Sequence, residues 1–335
     1  MSGKPQVVFA VTSEGKDRWS AMASLAIACL RATNPGLFVV VACDAESDRL
    51  LRRAADPLVG EVDRWVATET PPGDPKFRNR FVKTSVRAIV DGPLLLVDSD
   101  VVVRRDLTPI FSLTADVACA PNHSRNIYRE QLNDRDAAII ETMGWNISQE
   151  VYFNAGVVYF NDTPNARRVS NDWYRLWLSS YAECCDYRDQ PAFNAALNDV
   201  CPNVTILQDK YNAQFKKTPS SFYEAHLWHY YAGYNELMTK FEIAIQQIVD
   251  GRPKINIVEL VTSVHPWRCN GLLDSAAVGW LKRSNNGDCW AAHLLRRDLK
   301  RYFVSRFSAA ARAVARFLPI HLRGAIRRWR GRPFP

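Results

Sequence analysis

Two aspartates, Asp98 and Asp100, follow the apolar run that extends from Pro93 to Val97. A continuous apolar run of this kind is typical of a strand that is buried on both faces of a parallel sheet. Ligands of open α/β sheets bind at the carboxyl ends of such strands. Within the strand-like segment from Pro93 to Val103, alternation places both carboxylates on one face and Ser99 on the other, so that Asp98 and Asp100 could hold one hard divalent cation. The pattern therefore predicts a metal site, and the alternative is that the two aspartates only cap a turn.

These aspartates would be positioned by a chain in which strands and helices alternate. Besides the run that ends at Asp98, apolar runs predict strands over residues 7–11, 37–42, 62–66, 155–160 and 225–230. Apolar residues at helical spacing predict helices over residues 18–31, 48–55, 78–90, 165–180, 190–197 and 234–249. The segment 122–150 is long enough to cover a substrate. This order predicts an α/β fold with a mainly parallel central sheet flanked by helices.

The composition is that of a folded globular chain, because 47% of its 335 residues are hydrophobic. Neither GxGxxG nor a P-loop follows any predicted strand, which disfavours dehydrogenases and P-loop nucleotide hydrolases. The eight cysteines form no CxxC pair, and we interpret them as reduced thiols. The sequence shows neither a signal peptide nor an apolar stretch of membrane-spanning length. We therefore expect a cytoplasmic protein that does not span a membrane.

A basic face is predicted for the helix that precedes the two aspartates, because Arg80, Lys83 and Arg87 are spaced three and four residues apart. Such a face is either solvated or directed at an anionic ligand. Thr12 and Ser13 follow the first predicted strand, where they could contact a ligand or only form an ordinary turn.

Four further polar residues leave a structural and a functional interpretation open. Asn154 stands two residues before Gly156 at the start of a strand, and a glycine there lets the backbone approach a ligand closely. Asp189 and Gln190 begin a helix, where aspartate is a common N-cap. His229 stands among aromatic residues, and a histidine in such a place is more often packed in a core than bound to a metal.

The order of four stretches resembles that of the metal-dependent GT-A glycosyltransferases, and among them the retaining enzymes of family 8. The stretches are LLLVDSDVVV from Leu94 with Arg105-Asp-Leu after it, FNAGVVYFN from Phe153, Asp189-Gln190 with Phe193-Asn194, and HLWHYY from His226. The order of these stretches is more specific than any one of them.

The resemblance implies the GT-A fold, a nucleotide-sugar donor that is usually linked to uridine diphosphate, and a bound Mn2+ or Mg2+. It implies that Asp98, Asp100 and a histidine hold the metal, a ligand set that suits Mn2+. His229 is the third ligand by position, and His226 is the alternative. The chain departs from the family after His229, because Lys240 does not stand where the family has its phosphate-binding lysine.

The resemblance also distributes the other candidate residues around the donor. It places Thr12 and Ser13 at the nucleoside. Lys83 and Ser99 would lie beside the donor phosphates, and Asn154 would lie near the donor sugar.

Asp189 and Gln190 are placed beside the sugar ring by the same resemblance, so that Asp189, Gln190 and Asn154 are the candidate catalytic residues. Retention of configuration requires either a nucleophile on the far face of the sugar or an acceptor guided in on the side of the leaving group. The amide of Gln190 is a poor nucleophile. We therefore expect front-side displacement, with Asp189 orienting the sugar hydroxyls.

The basic charge is concentrated at the end of the chain. The whole chain carries a formal charge of +8, whereas residues 293–335 contain twelve Arg or Lys and one acid, which leaves the first 292 residues mildly acidic. We expect residues 1–290 to form the GT-A catalytic domain, with 1–120 binding the nucleotide and 121–290 the donor sugar and acceptor. Residues 291–335 are predicted to form a basic amphipathic helical tail. One apolar stripe of this tail consists of Leu295, Leu299, Tyr302, Phe303, Phe307, Ala310, Val314 and Phe317.

Basic amphipathic helices with aromatic residues are typical of anchors on anionic membrane surfaces. The alternatives for the tail are docking on the catalytic domain and binding of nucleic acid, which the acidic body disfavours. We expect a glycosyltransferase that moves a hexose to a glycan or glycolipid acceptor in bacterial cell-surface polysaccharide or lipopolysaccharide synthesis. It would be peripheral on the inner face of the plasma membrane.

Two rival functions compete with this interpretation. An apolar strand followed by DxDxV also fits a haloacid-dehalogenase-type phosphatase, in which Asp98 would be phosphorylated and Asp100 would be the general acid. Such phosphatases need a second acidic motif, typically paired aspartates, and no Asp-Asp pair occurs in the chain. The other rival is a non-catalytic protein that binds a nucleotide sugar or a glycan, which the intact acidic residues disfavour.

Overall fold

A seven-stranded sheet forms the centre of the structure. The computed structural model describes residues 4–15, 17–122, 131–148, 150–214, 224–230, 240–251 and 255–263. The strands are β1 (Gln6–Val11), β2 (Phe38–Asp44), β3 (Arg64–Thr68), β4 (Leu94–Val97), β5 (Val101–Val103), β6 (Val117–Pro121), β7 (Phe153–Phe160), β8 (Val204–Ile206), β9 (Ala213–Gln214) and β10 (Leu227–His229). The helices are α1 (Arg18–Thr33), α2 (Ala45–Arg53), α3 (Pro75–Thr84), α4 (Val86–Ile89), α5 (Asp134–Thr142), α6 (Pro164–Cys184), α7 (Gln190–Val200), α8 (Lys240–Val249) and α9 (Ile257–Thr262).

The strand order of the large sheet is β3-β2-β1-β4-β7-β6-β8. Strands β3, β2, β1 and β4 pair in parallel, β7 is antiparallel to both of its neighbours, and β6 pairs in parallel with β8. The predicted α/β class with a mainly parallel sheet is therefore confirmed. The chain order reverses between β1 and β4, and the carboxyl ends of strands at such a switch point are where open sheets bind ligands. Thr12 and Asp98 are the first residues after these two strands.

Two apolar layers cover the two faces of the sheet, because successive side chains of each strand point to opposite faces. Val8 and Leu96 face the layer that contains Trp173 and Trp177 of α6 and Phe193 of α7. The opposite layer contains apolar residues of α1 and the alternate positions of the same strands, which are Val7, Phe9, Val11, Leu95 and Val97. Burial on both faces explains why β4 contains only apolar residues.

The strand that leads to the DSD motif ends earlier than predicted. Strand β4 ends at Val97, and β5 begins at Val101 in a second sheet with the strand order β5-β10-β9. Residues 98–100 therefore form the bend between two sheets, and the prediction that strand alternation places Asp98 and Asp100 on one face is wrong. The backbone turns there because the chain pairs with β7 through β4 and then, as β5, with β10 in the second sheet.

The predicted helix over residues 78–90 is divided into α3 and α4 at Ser85. The division separates the three basic residues that were predicted to share one face. The guanidinium of Arg87 is 2% exposed and donates to the carbonyl oxygens of Val90 (2.9 Å) and Gly92 (2.5 Å). It also pairs with Asp162. Arg87 thus stabilises the turn into β4 and is neither solvated nor directed at a ligand.

The other predicted elements are present with boundaries that differ by a few residues, which side-chain caps explain. Helix α2 begins at Ala45 because the carboxylate of Asp44 accepts a hydrogen bond from Ser47 N. Elements that were not predicted are β6, β8, β9, α5 and α9. Residues 123–130 of the predicted substrate-covering segment, residues 231–239 and the whole predicted tail over 291–335 lie outside the described residues. Among the helices that are described, none has the length and apolar character needed to cross a membrane.

Candidate active site

Asp98, Asp100 and His229 meet where the two sheets join. Asp98 N donates to the carbonyl oxygen of Gly156 (2.8 Å), which keeps the first carboxylate beside β7. In the second sheet His229 lies opposite Val101, and Tyr230 N donates to the carbonyl oxygen of Asp100 (2.8 Å). One ligand atom from each of Asp98, Asp100 and His229 lies within 4.8 Å of the others. Backbone pairing thus brings together the three predicted metal ligands.

The other candidate histidine is turned away from this cluster. His226 Nδ1 lies 2.5 Å from the carbonyl oxygen of Asp106, and its ring packs on Tyr211 with 4.8 Å between the ring centroids. Of the two histidines, only His229 joins the carboxylates in the described part of the chain.

Gly156 makes room for the cluster. A Cβ atom built on Gly156 would overlap Cε1 of His229 and would lie 2.9 Å from Oδ2 of Asp98. A glycine is therefore required at this position by the close approach of β7 to two of the three ligands. The sequence signal for this requirement was the glycine of the FNAG stretch.

Lys83 is buried between two carboxylates. Its Nζ lies 2.9 Å from Oδ1 of Asp98 and 3.0 Å from Oδ2 of Asp189, and its side chain is 3% exposed. Arg80 approaches Asp189 from the other side, with Nε 3.3 Å from Oδ1. Lys83, which was predicted to lie near the donor, therefore lies beside Asp98 and Asp189, and Arg80 lies there as well.

The same cations affect the carboxylates to different degrees. Burial raises the pKa of Asp189, but Lys83 and Arg80 more than offset it, so that this pKa is lowered from its usual value. Burial also raises the pKa of Asp98, which Lys83 offsets only in part while Asp100 raises it further, so that the net shift is upward. Asp189 is thus charged and compensated, whereas the negative charge of Asp98 is not fully compensated.

A divalent cation fits this donor set. Asp100 Oδ1 is buried without a hydrogen-bond partner among the described residues, and it faces Nε2 of His229 at 3.3 Å. Two carboxylates and one imidazole nitrogen are ligands of the kind that Mn2+ and Mg2+ accept. Asp98, Asp100 and His229 are the residues that would hold the ion.

Asn154 and Gln190 contact each other beside the cluster. Gln190 Oε1 accepts hydrogen bonds from Asn154 Nδ2 (3.2 Å) and from Ala155 N (3.2 Å). Gln190 Nε2 donates to Oδ2 of Asp136 (3.4 Å), a buried carboxylate that also accepts from Arg188 (2.8 Å). Together these bonds hold both amides of the pair in a fixed orientation.

Asn194, from the stretch that begins with Asp189, attaches helix α7 to β7. Its Oδ1 accepts from Phe153 N (2.7 Å) and its Nδ2 donates to Phe153 O (2.9 Å). Asn194 therefore holds α7, which carries Gln190, against the strand that carries Asn154.

Thr12 and Ser13 lie after β1 and are both buried. Ser13 N donates to Ser47 Oγ (2.9 Å) and Ser13 Oγ donates to Gly15 O (2.6 Å), so the backbone of this loop is well held. Thr12 Oγ1 is buried without a hydrogen-bond partner within the described part of the chain. Ser99 is half-buried in the bend between Asp98 and Asp100.

Polar residues that the sequence did not single out complete the site. They are Asp136 on α5 and Asn212 before β9. Asp136 lies in the segment 122–150, which was predicted only as a substrate cover, and Asn212 lies in a loop without a prediction, so no local signal indicated that either residue reaches the site. The spacing of Arg80 from Lys83 was the one available signal for Arg80.

Comparison with known proteins agrees with the predicted resemblance. Residues 93–234 match the sequence model of the family described as glycosyl transferase family 8. This segment contains Asp98, Asp100, Asn154, Asp189 and His229. The segment that carries the candidate site is therefore similar to glycosyltransferases of family 8. No curated protein matches the chain.

Solved structures of glycosyltransferases are similar to this chain at low sequence identity. The galactosyltransferase LgtC, in complex with donor and acceptor sugar analogs, is 15% identical, with 76% of this chain and 98% of that chain covered and a TM-score of 0.49. Mouse xyloside xylosyltransferase 1 is 12% identical, with 68% and 98% covered and a TM-score of 0.45. The glycosyltransferase GlyE of Streptococcus pneumoniae TIGR4 is 16% identical, with 84% and 64% covered and a TM-score of 0.47. At these values the likenesses assign no substrate to this chain.

The requirement for glycine at position 156 is testable by substitution. We expect Gly156→Ala to weaken Mn2+ binding by at least about tenfold, because the new methyl group displaces His229 and Asp98 from each other. Isothermal titration with Mn2+ measures this change. Gly36→Ala is the matched control, since a Cβ at Gly36 meets no atom within 4 Å. Equal Mn2+ affinity of the two variants would show that β7 does not shape the metal site.

Proposed function

We propose that this protein transfers a hexose from a nucleotide-sugar donor, a uridine diphosphate sugar, in a reaction that depends on Mn2+ or Mg2+. The observation that carries the proposal is the cluster of Asp98, Asp100 and His229, in which Asp100 Oδ1 is buried without a hydrogen-bond partner among the residues that the structure describes. The family 8 match over residues 93–234 supports the reaction class.

The charges of the site support a diphosphate as the leaving group. The carboxylates of Asp98, Asp100 and Asp189 face the cations of Lys83 and Arg80. When bound, the divalent ion would offset the negative charge that grows on the diphosphate as the glycosidic bond breaks. Lys83 would hold Asp98 and Asp189 in place and would add positive charge beside the phosphates.

The remaining residues suit the two other parts of the donor. Thr12 and Ser13 would contact the nucleoside, because they follow β1 at the switch point and the Thr12 hydroxyl is available as a donor. Ser99 would contribute at the phosphates from the bend that carries the two aspartates. Asn154 would bind hydroxyl groups of the sugar through its amide, and Asp189 would orient them.

Retention of configuration by front-side displacement is the stereochemical course that the site supports. Gln190 Oε1 already accepts two hydrogen bonds from β7, and the Asp189 carboxylate pairs with Lys83 and Arg80. Both groups are thus already engaged by protein partners, which disfavours either of them as a nucleophile. The incoming acceptor would therefore enter on the side of the departing diphosphate.

The proposed acceptor class follows from the composition of the C-terminal residues 293–335. Residues 293–335 contain twelve Arg or Lys and one acid, in a pattern typical of helices that bind anionic membrane surfaces. We infer a lipid-linked or glycan acceptor of bacterial cell-surface polysaccharide or lipopolysaccharide synthesis, and a peripheral location on the inner face of the plasma membrane. Nucleic acid is not a proposed partner.

A scan of nucleotide sugars with Mn2+ tests the reaction. We expect release of nucleoside diphosphate from one uridine diphosphate sugar, and Asp100→Ala should lower this release by about 100-fold or more because a metal ligand is removed. Asp106→Ala is the control from the same stretch, since the exposed Asp106 side chain only caps Thr108. Asp106→Ala should retain wild-type release.

Three results would contradict the proposed reaction. Donor binding without cleavage would indicate the non-catalytic binding protein. Hydrolysis of a phosphomonoester, dependent on Asp98, would indicate the phosphatase. Release of diphosphate that needs no metal and is unchanged in Asp100→Ala would exclude the metal-dependent transfer.

Flotation of the full chain with vesicles tests the membrane proposal. We expect binding to anionic vesicles, and we expect its loss when Arg323, Arg327, Arg328 and Arg330 are all replaced by Gln, because binding depends on the basic face of the tail. The matched control replaces four exposed arginines of the body, Arg49, Arg52, Arg53 and Arg64, by Gln. Absence of wild-type flotation, or equal loss in both variants, would contradict the anchor.

A further inference from the structure

We propose that Asn212 is a positioning residue that fixes the tautomer of His229 and couples this metal ligand to Asn154. The proposal rests on the proposed function in one respect, which is that His229 holds the metal through Nε2. Asn212 lies between the short helical turn Asp209–Tyr211 and β9, and it is fully buried. Its side chain contacts His229 on one side and Asn154 on the other.

The orientation of the Asn212 amide follows from a backbone group of β7. Gly156 N is a donor, and it lies 3.0 Å from Oδ1 of Asn154. The atom of Asn154 that faces Gly156 is therefore the oxygen, because the amide nitrogen cannot accept. The same oxygen lies 2.9 Å from the side chain of Asn212, so that Asn212 must present its NH2 group there.

The tautomer of His229 then follows in one further step. Since Asn212 Nδ2 faces Asn154, its Oδ1 faces Nδ1 of His229, at 2.8 Å. A carbonyl oxygen only accepts hydrogen bonds, and Nδ1 must therefore carry the proton. In the neutral imidazole this leaves the lone pair on Nε2.

The lone pair points at the carboxylates. Nε2 of His229 lies 3.3 Å from Oδ1 of Asp100, the buried oxygen that has no hydrogen-bond partner among the described residues. Two electron-pair acceptors that face each other at this distance repel unless a proton on Nε2 or a metal cation lies between them. Asn212 thus prepares His229 as a metal ligand, as outer partners of metal-bound imidazoles do.

The backbone N–H of Ala155 orients the side chain of Gln190 in the same way. Ala155 N donates to Gln190 Oε1, which therefore also accepts from Asn154 Nδ2. The consecutive amides of Ala155 and Gly156 thereby orient the side chains of Gln190 and Asn154, and through Asn154 that of Asn212. A change at Asn212 is expected to reach both the metal ligand and the residue proposed to bind the sugar.

Two alanine variants separate this role from a merely structural one. Asn212→Ala removes the acceptor of His229 Nδ1. Asn122→Ala is the matched control, because Asn122 is also a buried amide that contacts Asn154 (3.3 Å) but no atom of His229 in the described hydrogen bonds. We expect Asn212→Ala to weaken Mn2+ binding in the absence of donor by about 10–100-fold. We expect Asn122→Ala to leave Mn2+ affinity within about twofold of wild type.

The tautomer itself is measured without metal. Long-range proton–nitrogen spectra of protein labelled at histidine nitrogen distinguish a protonated Nδ1 from a protonated Nε2, and His229→Gln assigns the signal. Wild type and Asn122→Ala should show His229 protonated at Nδ1. Asn212→Ala should shift His229 toward the Nε2 form.

Asn212→Asp supplies a variant that keeps the acceptor and loses the donor. His229 should remain protonated at Nδ1, and Mn2+ affinity should stay at or above that of wild type, because a carboxylate partner raises the basicity of the imidazole. The KM for the donor should rise instead, since the carboxylate cannot donate to Asn154. This variant also decides the question if Asn212→Ala does not fold.

The outcomes distinguish the inference from the proposed function. A wild-type His229 protonated at Nε2, or equal Mn2+ affinity of Asn212→Ala and Asn122→Ala, would overturn the role of Asn212. Loss of Mn2+ binding in Asn212→Asp as large as that in Asn212→Ala would overturn it as well. A wild type that binds no Mn2+ but shows the Nδ1 tautomer, lost in Asn212→Ala, would overturn the metal-dependent function and uphold the positioning role.

Discussion

Uncompensated negative charge in a buried site is the constraint on which this structure depends. Three carboxylates, those of Asp98, Asp100 and Asp189, lie near two cations, Lys83 and Arg80, and a buried ion without a partner costs several kcal/mol. Burial raises the pKa of Asp98, Asp100 raises it further, and Lys83 offsets these effects only in part. The chain must therefore hold the carboxylates firmly and supply a place for a further positive charge.

The fold meets the first requirement with backbone contacts rather than with side-chain packing. The carbonyl oxygen of Gly156 accepts from Asp98 N, and β10 attaches to Asp100 through Tyr230 N. Gly156 lets β7 approach closely enough for both His229 and Asp98 to reach the same point. Residues 98–100, β7 and β10 thus form one site, although more than a hundred residues of sequence separate Asp98 from His229.

Part of the site could be predicted from local patterns, and part from the order of the motifs. The apolar strands and the helix spacing sufficed for the α/β class, whereas His229 joined Asp98 and Asp100 as a predicted ligand only through the resemblance to family 8. Strand alternation does not explain why Asp98 and Asp100 meet, because the strand ends at Val97. Pairing of β5 with β10 brings Asp100 to His229 instead. Periodicity cannot show where a strand leaves its sheet. Asn212 and Asp136 could not be predicted, since their partners are distant in sequence and only the folded backbone brings them together.

Anomalous scattering from a crystal grown with Mn2+ and uridine diphosphate locates the metal directly. We expect one strong manganese peak bonded to carboxylate oxygens of Asp98 and Asp100 and to Nε2 of His229, with diphosphate oxygens in the remaining positions. A manganese peak at any other place, or diphosphate bound beside Asp98 and Asp100 without a metal, would contradict this expectation.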